Sequence, residues 1–129
     1  VGHRNVAHCT STGKVLLAYL PEAELDLLLG GWVLEPKTRY TITDPARLRR
    51  DLAQVRHRGY AENLHEAEMG IVSVAAPVRD ASGGVVAAVS VAAPEMRLEG
   101  SSVRRFAATT VQAADSISRR LGYQAGGAW

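Results

Sequence analysis

Apolar positions follow two periods along this chain, and the switches between them mark its elements. Residues 3–9, "HRNVAHC", predict a short strand that leads into "TSTGKVLLAYL". There Ser11 or Thr12 stands ahead of Val15, Leu16, Leu17 and Leu20, the order expected of a capped helix. Pro21 opens a second short helix, "PEAELDLLL", which Gly30 and Gly31 stop. After the loop "WVLEPKTRYT", Asp44 and Pro45 predict the start of "PARLRRDLAQVRHR", with Leu48, Leu52 and Val55 on one stripe and Gly59 as terminator. A short strand near Tyr60 and the acidic turn "ENLHEAEMG" follow. Val103, Phe106, Thr110, Ala114, Ile117 and Leu121 share one face of a long final helix that ends at Gly122.

Between the acidic turn and the last helix lies "GIVSVAAPVRDASGGVVAAVSVAAP", two apolar runs around a polar break, each holding one serine. With a four-residue loop from Asp80 to Gly83, Arg79 pairs with Gly84 and Ser73 stands directly opposite Ser90. Ile71 then faces Ala92, and Ala75 faces Ala88, on the same side of the hairpin. That face carries small side chains and two hydroxyls. It suits either a cavity for something small and polar or close packing of Ala-rich strands on a helix.

At 129 residues the chain has the length of one domain, with 47% hydrophobic residues and few aromatics (5%), so its core must be built from Ala, Val and Leu. No apolar run reaches the length of a membrane span, and the one cysteine excludes an internal disulfide, which together predict a cytoplasmic protein. Net charge is +2, and the arginines are scattered in pairs such as Arg49-Arg50 and Arg119-Arg120. Nucleic-acid readers concentrate such charge on one face beside a reading motif, and neither signal is present.

Catalytic and metal chemistry find little footing. "STGKV" resembles the end of a phosphate loop, but His8 takes the first glycine position and Val15 replaces the metal-binding hydroxyl. The four histidines and Cys9 match no zinc spacing. Cys9 near His8 and Ser73 near Glu66 are the nucleophile candidates, without a strained turn or an oriented base. Glu66 reads as a structural acid, bonding backbone groups of the turn that ends at Gly70. No cofactor, metal or catalytic residue is expected.

"HCTSTGKVLLAYLPEAEL", "TRYTITDPARLRRDLAQVRHRGYAENLHEAEMGIVSVAAPVRD" and "GGVVAAVSVAAP" resemble, in that order, the C-terminal effector-binding domain of the IclR family of bacterial transcription regulators. The resemblance covers nearly all of residues 3–122. It implies an α+β fold of GAF-like or profilin-like type, an antiparallel sheet flanked by helices, with a small-molecule pocket on one side. It places that pocket at Ser11, Thr12 and Gly13, at Asn63, and at Ile71, Ser73, Ser90 and Ala92. Backbone N–H groups at the start of the helix, with the hydroxyls of Thr12, Ser73 and Ser90 and the Asn63 amide, would suit a carboxylate. Ile71 and Leu64 would supply apolar walls, which makes a small organic acid, aliphatic or aromatic, the expected effector.

The resemblance further implies a homodimer or homotetramer that reaches DNA only through a winged helix-turn-helix domain, for which this sequence has no counterpart. The first elements of such an effector domain also find none, so residues 1–122 read as an effector-binding domain without its opening elements and 123–129 as a flexible tail. The family often carries acidic residues around Asn63 and Leu64, and the neutral pair here favours a more negative ligand. Two other readings stand beside the sensor: a module that only oligomerises, its pocket vestigial, and a small-molecule enzyme.

Overall fold

Helix α1 runs over Ser11–Ala18 in a computed structural model that describes residues 7–95 and 102–124. Its cap is Thr10, one residue ahead of the expected Ser11: Thr10 is extended and its hydroxyl accepts from the Gly13 N–H at 3.1 Å. Residues 7–9, expected at the end of a strand, form a single tight helical turn instead, and residues 3–6 of that strand lie outside the described residues. Helix α2, Glu22–Leu29, follows Pro21, with Glu22 and Glu24 in its first turn where the helix dipole favours them.

Helix α3, Pro45–Arg58, has the boundaries its sequence predicts. The Asp44 carboxylate accepts from the Ala46 N–H at 3.2 Å, and Gly59 leaves the helix at φ 88°, a left-handed turn that favours glycine. Asp44→Ala is expected to cost about 1 kcal/mol, read as a lower urea midpoint with an unchanged slope.

The sheet is antiparallel, in the order β1 (Ala61–Leu64), β2 (Ile71–Arg79), β3 (Val85–Pro94). The hairpin register differs from the expected one by two residues: Ser73 faces Ala92, and Ser90 faces Ala75. Two local events cause the shift. The turn takes five residues, closed by Asp80 N–H on the Gly84 carbonyl and by Gly83 N–H on the Asp80 carbonyl, so Arg79 meets Val85. A bulge at Val78/Arg79 then leaves Val86 unmatched, and Val78 meets Ala87. Because each event adds one residue, face parity is kept, and Ser73 and Ser90 stay on one side as diagonal neighbours.

On that side α1, α2 and α3 build the main core. Leu48, Leu52, Val55 and Val15 are wholly buried against Ala61 and Ala75 of the sheet. Burying one such Leu contributes about 1.5–3 kcal/mol, and the small strand residues let the helices come close. Ala75 therefore serves packing, not a cavity. On the opposite side α4, Ser102–Arg120, lays Ala114 on Ala76 and Val78, with Val89 and Val111 around them.

The buried stripe of α4 is Ala107, Thr110, Ala114 and Ser118, rotated from the expected one; Ile117 and Leu121 are exposed. Two hydroxyls can lie inward because each bonds the carbonyl one turn back, Thr110 to Phe106 and Ser118 to Ala114, both at 2.8 Å. Past Gly122 (φ 93°), in the expected tail, Tyr123 N–H still donates to the Ser118 carbonyl.

Candidate effector site

Two buried serines meet where the first turn of α1 crosses the sheet: the Ser73 hydroxyl donates to the Ser11 Oγ at 2.8 Å. Ser11 and Ser73 are both buried, 62 residues apart in sequence. Ser73 spends its one proton on Ser11, so Ser11 keeps a proton for another acceptor. The Thr10 cap takes the Gly13 N–H and the Thr10 carbonyl takes the Lys14 N–H. The N–H groups of Ser11 and Thr12 stand outside that cap, beside the Ser11 hydroxyl, at the positive end of the helix.

Asn63 pairs directly with Ser73 across β1 and β2, and its Oδ1 accepts from the Glu66 N–H at 2.8 Å. That bond fixes the turn after β1, where His65 holds φ 64° and its Nδ1 accepts from the Gly70 N–H. Ile71 is half-buried, two residues before Ser73 on the same face of β2.

The structure thus gathers Ser11, Thr12, Asn63, Ile71 and Ser73. Ala92 lies opposite Ser73, and Ser90 two pairs further along β3 on the same face; both are exposed. Leu64, expected as a wall beside them, pairs with Val72 and so points to the other side of the sheet. It joins Tyr40 and Ile42 around a separate groove of about 410 Å3. Gly13 has a packing role at least: a Cβ there would sit 2.4 Å from the Ala7 carbonyl oxygen and 2.5 Å from Ala7 Cα.

Beside this pair lies an ionic cluster that the sequence reading missed. Lys14 is almost wholly buried, with its ammonium 2.7 Å from Asp51 Oδ2 and 2.6 Å from Glu66 Oε1, and it donates to the Glu62 carbonyl at 3.3 Å. The ammonium touches two carboxylates and a carbonyl, so Lys14 ties α1 to α3 and to the turn after β1. Glu66, expected to bond backbone groups of its turn, has a backbone hydrogen bond at Leu64 and also gives its carboxylate to Lys14. Burial pushes the Glu66 carboxyl above its ordinary value, with Lys14 pulling it down and Asp51 adding to the rise. A helical spacing held the clue: Lys14 precedes the buried Leu17 and Ala18 by three and four residues, on the inward stripe.

Cys9 and His8 are buried in the turn before α1. His8 Nε2 lies 2.8 Å from the Glu35 carbonyl oxygen, and its ring stands edge-on to Trp32. Burial, then the Glu66 charge, push the Cys9 thiol up, which keeps it protonated and a poor nucleophile at neutral pH. Among the described residues no helix is long and apolar enough to cross a membrane.

Comparison with known proteins places this geometry. The family model for the bacterial transcriptional regulator IclR C-terminal domain matches residues 1–119. The HTH-type transcriptional regulator XynR of Escherichia coli is 38% identical over 125 residues, 97% of this chain and 50% of XynR. The C-terminal domain of E. coli KdgR superposes with a TM-score of 0.83 at 36% identity, over 91% of this chain and 71% of that one. The inducer-binding domain of PobR from Acinetobacter, a double mutant solved with 3-hydroxy benzoic acid, does so with a TM-score of 0.80 at 30% identity, over 87% of this chain and 65% of that one. The chain spans about half the length of the curated relatives it matches. A family model that takes in nearly the whole chain, and an antiparallel sheet flanked by helices as in those solved domains, lead to one assignment: the chain belongs to the IclR family of bacterial transcriptional regulators, within its C-terminal domain.

Proposed function

We propose that this chain is the effector-sensing part of a transcription regulator and takes a small organic acid at the start of α1. The observation that carries the reading is the buried Ser11–Ser73 pair, which joins a helix start to the sheet with one hydroxyl proton and two backbone N–H groups left for an acceptor. A carboxylate is the acceptor those donors suit, and they neutralise it without a buried cation. Lys14, close by in sequence, is already saturated by two carboxylates and leaves the donor set uncharged. The acid bound by the PobR domain supports the ligand class.

In this reading Ser11, Thr12 and Gly13 present the backbone donors, Asn63 offers its amide, Ser73 and Ser90 their hydroxyls, and Ile71 and Ala92 the apolar contacts. Binding shifts a conformational equilibrium in a homodimer or homotetramer, and so the spacing of winged helix-turn-helix domains outside this chain. The protein is a cytoplasmic sensor and not a catalyst.

A thermal-shift panel of aliphatic and aromatic acids tests the reading. An acid present at a hundredfold excess over its Kd stabilises by about 2.7 kcal/mol, which raises the Tm of a domain this size by roughly 10 °C. Ser73→Ala is expected to abolish that rise while costing only about 1 kcal/mol of intrinsic stability. A folded protein that no acid stabilises would instead be a module that only oligomerises.

A further inference from the structure

At the far end of α1 from Ser11, roughly 12 Å along the helix, lies a second cleft with a different chemistry. It arises because β1 is short: its pairing with β2 ends at Ala61 and Ala75, and Gly59 turns the chain away into α3. Among the described residues, 76–79 of β2 continue without a strand neighbour on that side. A cleft of about 280 Å3 opens there, bounded by the last turn of α3, by β2 and by α4. A strand is a poor occupant, since Pro77 has no N–H and the Arg79 N–H is already donated to Ser118 Oγ at 2.9 Å.

Three guanidiniums line this cleft, those of Arg56, Arg58 and Arg79. Arg79 is half-buried between aromatic rings, 4.9 Å from the Tyr19 centroid and 5.8 Å from that of Tyr123, with one N–H on the Gly83 carbonyl. Arg56 donates to the Ala18 carbonyl at 3.0 Å, at the end of α1. Each therefore spends one of five donors on the protein. Arg58 lies 3.6 Å from Glu62, which offsets its charge. Among the described residues neither Arg56 nor Arg79 has an ion-pair partner. A half-buried guanidinium stacked on two rings and lacking a counter-charge is a prepared receptor for a planar or tetrahedral oxyanion. Asp115 on α4 also lines the cleft; with Arg58 offset by Glu62, it leaves one of the remaining two charges uncompensated, which matches the site to a single oxyanion group and not to a nucleic acid.

We infer that this cleft binds one small oxyanion, a carboxylate or a phosphate, between Arg56 and Arg79, independently of the serine site. The test is a chemical-shift titration of the isotope-labelled chain with inorganic phosphate and, separately, with acetate, each against chloride at equal ionic strength. Saturable shifts are expected at the side-chain N–H groups of Arg56 and Arg79 and at the amides of Gly59 and Tyr123. Saturation by phosphate alone would mark a phosphate-bearing ligand, and saturation by acetate as well a carboxylate one. Arg56→Gln is expected to weaken binding about tenfold, the worth of one charge-assisted hydrogen bond, and Asp115→Asn to tighten it severalfold. Both side chains are exposed, so neither variant threatens the fold. Shifts that never saturate, that match those in chloride, that fall at Ser11 and Ser73 instead, or that are the same in both variants would overturn the assignment.

Discussion

Lys14→Met is expected to destabilise the fold by about 3–5 kcal/mol at pH 7, a large share of what a domain of this size has. The methionine fills the stem's volume, but it leaves Asp51 and Glu66 facing each other with no cation between them. The Coulomb attraction lost matters less than the desolvated carboxylates left behind. The penalty depends on pH, in a direction the burial of Glu66 fixes. Its folded pKa lies above the ordinary 4.5, so the folded state holds that proton more tightly than the unfolded chain does. The stability from that proton is present below the ordinary carboxylate pKa and is lost as pH rises through the raised value. Removing Lys14 takes away the influence that lowers this pKa and moves it further up. The difference between variant and wild type should therefore be widest at neutral pH and shrink as pH falls toward 4.5. Urea unfolding of both proteins at a series of pH values reads it directly; a constant difference across the series would mean that the cluster is not ionised as drawn.

Gly13→Ala should be the second severe change, for a reason opposite to its helix propensity. Alanine inside a helix gains about 1 kcal/mol over glycine. Here the new methyl would lie 2.4 Å from the Ala7 carbonyl oxygen, 2.5 Å from Ala7 Cα and 2.7 Å from Thr10 Oγ1. Two of the three are backbone atoms, and the third is the cap itself, so none can swing aside. Overpacking of this kind costs about 1–3 kcal/mol, and loss of the Thr10 cap adds about 1 more. We expect a net loss of about 2 kcal/mol of stability, read as a lower urea midpoint, along with weakened acid binding, because the turn that carries Ser11 must move. A variant as stable as the wild type would show that the turn before α1 yields freely.

How much of this was legible in the sequence follows from what each feature depends on. Helix α3 could be read to the residue, because Asp44, Pro45 and Gly59 are local signals that act within one turn. The start of α1 was read one residue late, since Thr10, Ser11 and Thr12 are equivalent candidates until one of them bonds Gly13. Parity in the hairpin survived, but the partner of Ser73 did not, because a five-residue turn and a bulge leave no mark in an Ala- and Val-rich strand. The Ser11–Ser73 contact joins distant residues, yet the family resemblance placed both at one site. By contrast, Lys14 with Asp51, and Arg56 with Arg79, are pairings made only by the fold. Arg58 has an acid four residues on, Glu62, which Arg56 lacks, but that both face one cleft with Arg79 is visible only in the fold.

The central claim is that a small organic acid sits at the start of α1. The most direct measurement is the amide spectrum of the labelled chain, titrated with the acid that stabilises it most in the thermal panel. The account predicts saturable shifts concentrated at Ser11, Thr12 and Gly13, at Asn63 and at Ser73, all lost in Ser73→Ala. Saturable binding that leaves those amides unmoved and shifts others instead would place the effector elsewhere and contradict it.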